Sequence, residues 1–149
     1  MARPLVIVGV GIDLVEIARV RKLVEGKGER ALQRLFTDGE LAYARRRADP
    51  IPHLAARIAA KEATFKAFGQ HDGARSIGWK EMEVISASDG NPTLRLHGSA
   101  AKLAIGLGVT RMWVSMSHTG SAAGAVVVIE REEGGGRREE GGARRGLRH

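Results

Sequence analysis

Between Arg57 and Lys66 the alanine-rich stretch RIAAKEATFK carries four charged side chains, Arg57, Lys61, Glu62 and Lys66. Glu62 and Lys66 are four residues apart, so on a helix they share one face. Two readings stand. One is a surface ion pair of little energetic consequence. The other is a carboxylate for Mg²⁺ with cations on phosphate oxygens, because Mg²⁺ takes one or two carboxylates completed by substrate phosphates and water. The second carboxylate of that reading is Asp13, which follows the apolar run LVIVGVGI. Asp13 either caps the helix after it or meets a cation, hydrogen bonds or a metal. Gly9 and Gly11 permit close approach of backbone or ligand, but no third glycine follows at dinucleotide-binding spacing. His118 closes WVSMSH, where it either bonds a nearby loop or faces a ligand. His53, His71, His97 and His149 are scattered without metal-ligand spacing. The sequence has no phosphate-binding P-loop, nucleophile elbow or H-E-x-x-H signature.

These residues need elements to position them. Residues 4–15 cluster Val, Ile and Leu as a buried strand does. From Glu16 the spacing of Ile17, Val20, Leu23 and Val24 is helical, with Gly26 and Gly28 as stops. A short helix fits 31–36. Thr37 and Glu40 have capping-box spacing and open a helix that ends in the arginines 45–47, at the negative end of its dipole. Pro52 sits where the longest helix, 52–68, begins, and Gly69 stops it. Strands are expected at 80–86 and 93–97, joined at Asp89-Gly90. A helix capped by Ser99 runs to Leu107, and strands follow at 111–117 and 122–129. Helices grouped early and paired strands late predict an α+β fold with a mostly antiparallel sheet packed with a long central helix.

At 149 residues the chain is read as one domain, 1–130, followed by a Gly/Arg/Glu-rich tail, 131–149, expected to be disordered because it has almost nothing to bury. The absence of cysteine excludes thiolate nucleophiles, disulfides and Cys-ligated zinc. No apolar run is long enough for a secretory signal or a membrane span, so a cytoplasmic protein without a membrane partner is expected. The net charge of +7 asks for an anionic partner.

Taken in order, GIDLVEIARV, LAARIAAKEATFKAFG, DGNPTLRLHGSAAKLA and VSMSHTGSAAGAVVVIE resemble the holo-[acyl-carrier-protein] synthases, the small single-domain 4′-phosphopantetheinyl transferases. The resemblance spans nearly all of residues 5–130. It implies the fold of that family and transfer of the 4′-phosphopantetheine arm of coenzyme A to a serine of an acidic acyl carrier protein, with release of 3′,5′-ADP, in fatty acid biosynthesis. It makes Asp13 and Glu62 the Mg²⁺ ligands, and Glu62, Asp13 and Lys66 the catalytic set. Arg57, Lys61, Lys66, Gly90, Pro92 and His118 become contacts to coenzyme A. Asn91 stands between the last glycine and proline where relatives carry a basic residue. Arg19 matches the family's carrier-binding arginine, with Arg21 and arginines 45–47 as helpers. The resemblance also implies a homotrimer whose active sites are shared between chains. Two rivals are a basic nucleic-acid-binding protein, which the scarcity of aromatics and of RNA-binding motifs disfavours, and another Mg²⁺-dependent nucleotide enzyme.

Overall fold

A computed structural model describes residues 3–69, 71 and 73–134. Strand β1 (Leu5–Glu16) runs without a loop into helix α1 (Ile17–Leu35), which kinks at Gly28, where φ is 56°. Helix α2 (Asp38–Arg45) begins at the expected capping box: Thr37 Oγ1 accepts from the Glu40 amide and Glu40 Oε1 accepts from the Thr37 amide. Helix α3 (Ile51–Phe68) is followed by a 3-10 turn, Trp79–Glu81. The hairpin of β2 (Met82–Ser86) and β3 (Pro92–Leu96) comes next. Helix α4 (Gly98–Gly106), β4 (Val109–His118) and β5 (Ala122–Glu132) complete the described chain.

The strands form an antiparallel sheet in the order β1-β5-β4 beside the two-stranded β2-β3 sheet, so the fold is α+β, as expected. Three local expectations change. Gly26 does not stop the first helix, which continues through the expected separate helix at 31–36 with only the kink at Gly28. Residues 79–81 form a turn, so β2 starts at Met82. Ser99 does not cap α4. Its hydroxyl donates to Glu81 Oε2, and that carboxylate also accepts from the Ala100 amide at 3.0 Å, so the cap comes from a distant turn. Glu81 therefore satisfies first-turn donors that a local serine would otherwise serve. Residues 135–149, most of the expected tail, lie outside the described residues.

Two features of β1 position the site. A bulge between Ile7 and Gly9 inserts an extra residue against β5. Side chains alternate along a strand, so one extra residue reverses the facing of everything after it. Leu5 and Ile7 are exposed before the bulge; Val10, Ile12 and Leu14 are exposed after it. Gly9, Gly11 and Asp13 consequently face inward. They meet α3, whose Ala59, Ala60, Ala63 and Ala67 are buried against the sheet. A Cβ on Gly9 would lie 1.8 Å from the Ala67 carbonyl oxygen, and one on Gly11 1.8 Å from that of Ala63. Only hydrogen fits at either position.

Candidate active site

The close seam between β1 and α3 brings Asp13 to the last turns of α3. Lys66 Nζ donates to Asp13 Oδ1 at 2.9 Å and to the Ile12 carbonyl at 3.0 Å. Asp13 and Glu62 both line an open cleft of about 750 Å³ whose other wall is α1, with Arg19, Lys22 and Ile58 among its residues. Burial pushes the Glu62 carboxyl above its usual range, and the Asp13 charge adds to this, with Lys66 opposing. Asp13 and Glu62 offer hard oxygen donors of the kind that suit Mg²⁺. Glu16 also lines the cleft, but among the described residues no group of three carboxylates or histidines is arranged to hold a metal ion. A cation held by Asp13 and Glu62 would need further oxygens, as from phosphates and water.

The remaining expected contacts lie elsewhere. Each helical residue turns ~100°, so Arg57 points about 140° away from Glu62. On that flank Arg57 Nη2 donates to Ser86 Oγ at 2.9 Å, Nη1 donates to the His53 carbonyl at 3.2 Å, and the guanidinium covers the Tyr43 ring at 4.2 Å. Its Nε is buried without a partner. Arg47 Nη2 donates to the Tyr43 hydroxyl at 2.7 Å. Tyr43, His53 and His118 form an edge-to-face series with centroids 6.1 and 5.8 Å apart. A cavity of about 350 Å³ opens here among Tyr43, Arg46, Arg47 and Ser86. Pro92 pairs with Ser86 across the hairpin, and Gly90, at φ 85°, forms its turn. Asn91 is folded onto Asp89, its amide and side chain each donating at 2.9 Å.

This second flank is strongly cationic. Burial depresses the His53 imidazole below its ordinary value, and the Arg47, Arg57 and His118 charges add to this. Burial pushes the Tyr43 phenol up, but the Ser86 hydrogen bond and the Arg47 and Arg57 charges outweigh it and hold it low. Such a site favours an anion. The sequence reading missed Tyr43, His53 and Ser86 and gave Arg46 and Arg47 only a helping role. Helical phase was the available signal: Arg57 and His53 are four apart on one face, and Glu62 is not on it.

Lys61 belongs to neither flank. Its side chain is 0% exposed, and its ammonium donates at 2.8 Å to each of Glu40 Oε1, the Trp79 carbonyl and the Met82 carbonyl. All three N–H bonds are used, so the expected contact of Lys61 to coenzyme A does not fit this arrangement. Arg21, a suggested helper, is paired with Asp49 at 2.7 Å.

The sheet and helices with paired carboxylates at the β1–α3 seam define an α+β transferase architecture, and comparison with known proteins agrees. The family model of the 4′-phosphopantetheinyl transferase superfamily matches residues 9–126. The holo-[acyl-carrier-protein] synthase of Geobacter sulfurreducens is 46% identical over 121 residues, covering 80% of this chain and 94% of that one. The crystal structure of the Neisseria meningitidis holo-[acyl-carrier-protein] synthase superposes with a TM-score of 0.75 at 28% identity, covering 85% and 100% of the two chains. The Bacillus anthracis enzyme, solved in complex with CoA (3′,5′-ADP), gives a TM-score of 0.68 at 29% identity over 85% and 98%. The chain belongs to the 4′-phosphopantetheinyl transferase superfamily, within its holo-[acyl-carrier-protein] synthase family.

Proposed function

We propose that this transferase moves the 4′-phosphopantetheine arm of coenzyme A onto a serine of an apo acyl carrier protein, with Mg²⁺, releasing 3′,5′-ADP. The observation that carries the reading is the convergence of Asp13 and Glu62 on one cleft, with Lys66 bonded to Asp13 beside it, supported by a relative of the same fold that binds CoA. In the reaction the serine oxygen bonds to the β-phosphorus of coenzyme A. The bond from that phosphorus to the bridging oxygen breaks, and the electron pair leaves with 3′,5′-ADP. Glu62, directly or through a bound water, accepts the serine proton. Asp13 is the alternative acceptor. Lys66 turns from Asp13 to the phosphate oxygens and offsets charge there. Asp13 and Glu62 would hold Mg²⁺, which would supply charge neutralisation of the pyrophosphate.

The carrier docks along α1. Arg19, Lys22 and Lys27 line the cleft, which continues past Leu23 into an apolar depression of about 570 Å³ bordered by Arg30, Arg34, Leu35 and Trp79. An apolar floor with a cationic rim suits an acidic amphipathic helix. The cationic flank around Arg57 binds coenzyme A phosphates, with His118, Gly90 and Pro92. One chain holds its two flanks on opposite sides of α3, so a site using both draws them from neighbouring copies. The exposed Ile7, Val10, Ile12, Leu14 and Trp113 on the outer sheet face provide an apolar surface for that association as a homotrimer. No described helix is long and apolar enough to cross a membrane, and the reaction is assigned to the cytoplasm. The test is incubation with coenzyme A, Mg²⁺ and an apo carrier. A carrier mass increased by one phosphopantetheine arm is expected. An unchanged mass with acidic carriers, alongside salt-sensitive RNA binding, overturns the reading in favour of a nucleic-acid partner.

A further inference from the structure

The buried Lys61–Glu40 pair stands outside both flanks. Glu40 is 1% exposed, and its carboxylate is fully engaged: Oε1 accepts from Lys61 and the Thr37 amide, and Oε2 accepts from the Val84 amide at 3.0 Å. Desolvation weakens the Lys61 ammonium, and Glu40 opposes that effect. Replacing a buried ion pair by apolar groups is often neutral or stabilising, so stability alone is a weak reason for this one. Its geometry offers another.

Two of the three Lys61 acceptors are backbone carbonyls, Trp79 and Met82, at the two ends of the 3-10 turn that carries the Trp79 side chain. One helical turn further along α3, Phe65 meets the Trp79 ring edge-to-face at 5.9 Å. Lys61 therefore holds the backbone of Trp79 while Phe65 holds its ring, and Trp79 forms part of the apolar depression on α1. The same three bonds lock the rotation of α3 about its own axis. Glu62 is the next residue. Its carboxylate lies roughly 6 Å from that axis, so a turn of about 10° displaces it by about 1 Å.

We propose that Lys61 is a positioning residue that touches neither substrate. It sets Glu62 against Asp13 and sets Trp79 in the carrier groove, through the hub it forms with Glu40, Trp79 and Met82. The proposal rests on the transferase reading above. It separates Lys61 from Lys66, five positions on, which bonds Asp13 beside the cleft from an exposed position.

The experiment uses the full chain with Trp113→Phe, which leaves Trp79 as the one remaining tryptophan. Lys61→Met is expected to lower Tm, because it strands Glu40, and to shift Trp79 emission. It is also expected to reduce kcat and raise the carrier KM, for a fall in kcat/KM of about 100-fold. The KM for coenzyme A should stay within about twofold. Lys61→Met with Glu40→Gln removes both charges; Tm should recover in part, since Gln has one acceptor oxygen where the Thr37 and Val84 amides use two, while Trp79 emission, kcat and carrier KM stay altered. Recovery of all four in the double variant makes the pair merely structural and overturns the proposal. So does a Lys61→Met defect confined to the KM for coenzyme A. Should Lys61→Met fail to fold, Lys61→Arg keeps the charge but cannot serve three acceptors at the same distances, and wild-type turnover in it is equally fatal. If the wild-type chain itself transfers nothing, the functional reading fails, while the Trp79 emission of these variants still tests the positioning.

Discussion

Gly11→Ala probes the seam on which the catalytic arrangement depends. A methyl group at this position would sit 1.8 Å from the Ala63 carbonyl oxygen and 2.8 Å from the Ala67 nitrogen. Restoring ordinary contact requires β1 and α3 to part by roughly 1.5 Å. Glu62 precedes Ala63, and Asp13 lies two residues beyond Gly11, so the parting acts directly on the two carboxylates. Overpacking of this kind costs about 1–3 kcal/mol of stability. A 1 Å misplacement can cost about 100-fold in rate, equivalent to about 2.7 kcal/mol of barrier. The assay follows carrier mass with time at saturating coenzyme A and Mg²⁺, with a thermal melt in parallel. The expected outcome is a folded protein of lower Tm with kcat down by about 100-fold. Adding Ala63→Gly should not rescue it, because the obstacle is the carbonyl and not the Ala63 side chain. A folded Gly11→Ala protein with kcat within a few-fold of wild type would refute the argument that this close approach sets the carboxylate spacing.

Other expectations follow from the same geometry. Glu62→Gln removes the proton acceptor and should abolish transfer with little loss of Tm; near-normal turnover would take Glu62 out of the chemistry. Arg19→Glu should raise the KM for the carrier and flatten its salt dependence without changing kcat, read from initial rates at several ionic strengths. His53, lowered from 6.5 by burial and by neighbouring cations, should titrate below that value by NMR. Its contribution to stability is then present above pH 6.5 and lost as pH falls through the folded value. Coenzyme A binding should move that titration upward, and an unmoved His53 would place the phosphates elsewhere.

What the sequence made legible was what local chemistry determines. The capping box of Thr37 and Glu40 formed as read, α3 ended at Gly69, and Asp89-Gly90 turned the hairpin. Asp13, Glu62 and Lys66 came together, although composition alone could not bring β1 to α3. The failures were tertiary. Ser99 lost its capping role to Glu81, which is remote in sequence. Lys61 was expected to contact coenzyme A, but it is buried and fully bonded within the chain. Its burial depends on Glu40, whose local signal as a capping residue gave no hint that the same carboxylate would also take a buried ammonium. The β1 bulge was equally invisible, yet without it the alternation would have turned Asp13 away from α3.

The division of α3 into two functional flanks has a genetic consequence. In the proposed ring each chain lends its carboxylate flank to one site and its arginine flank to another. A chain carrying Glu62→Gln then retains a sound arginine flank, and one carrying Arg47→Glu retains sound carboxylates. Two alleles, each inactive alone, would complement when co-expressed, with roughly a quarter of the sites in a random mixture reconstituted. By the same counting, a single-flank variant mixed with wild-type chains disables only as many sites as there are variant chains. Complementation without dominance would follow from the direction in which one helix presents its charges.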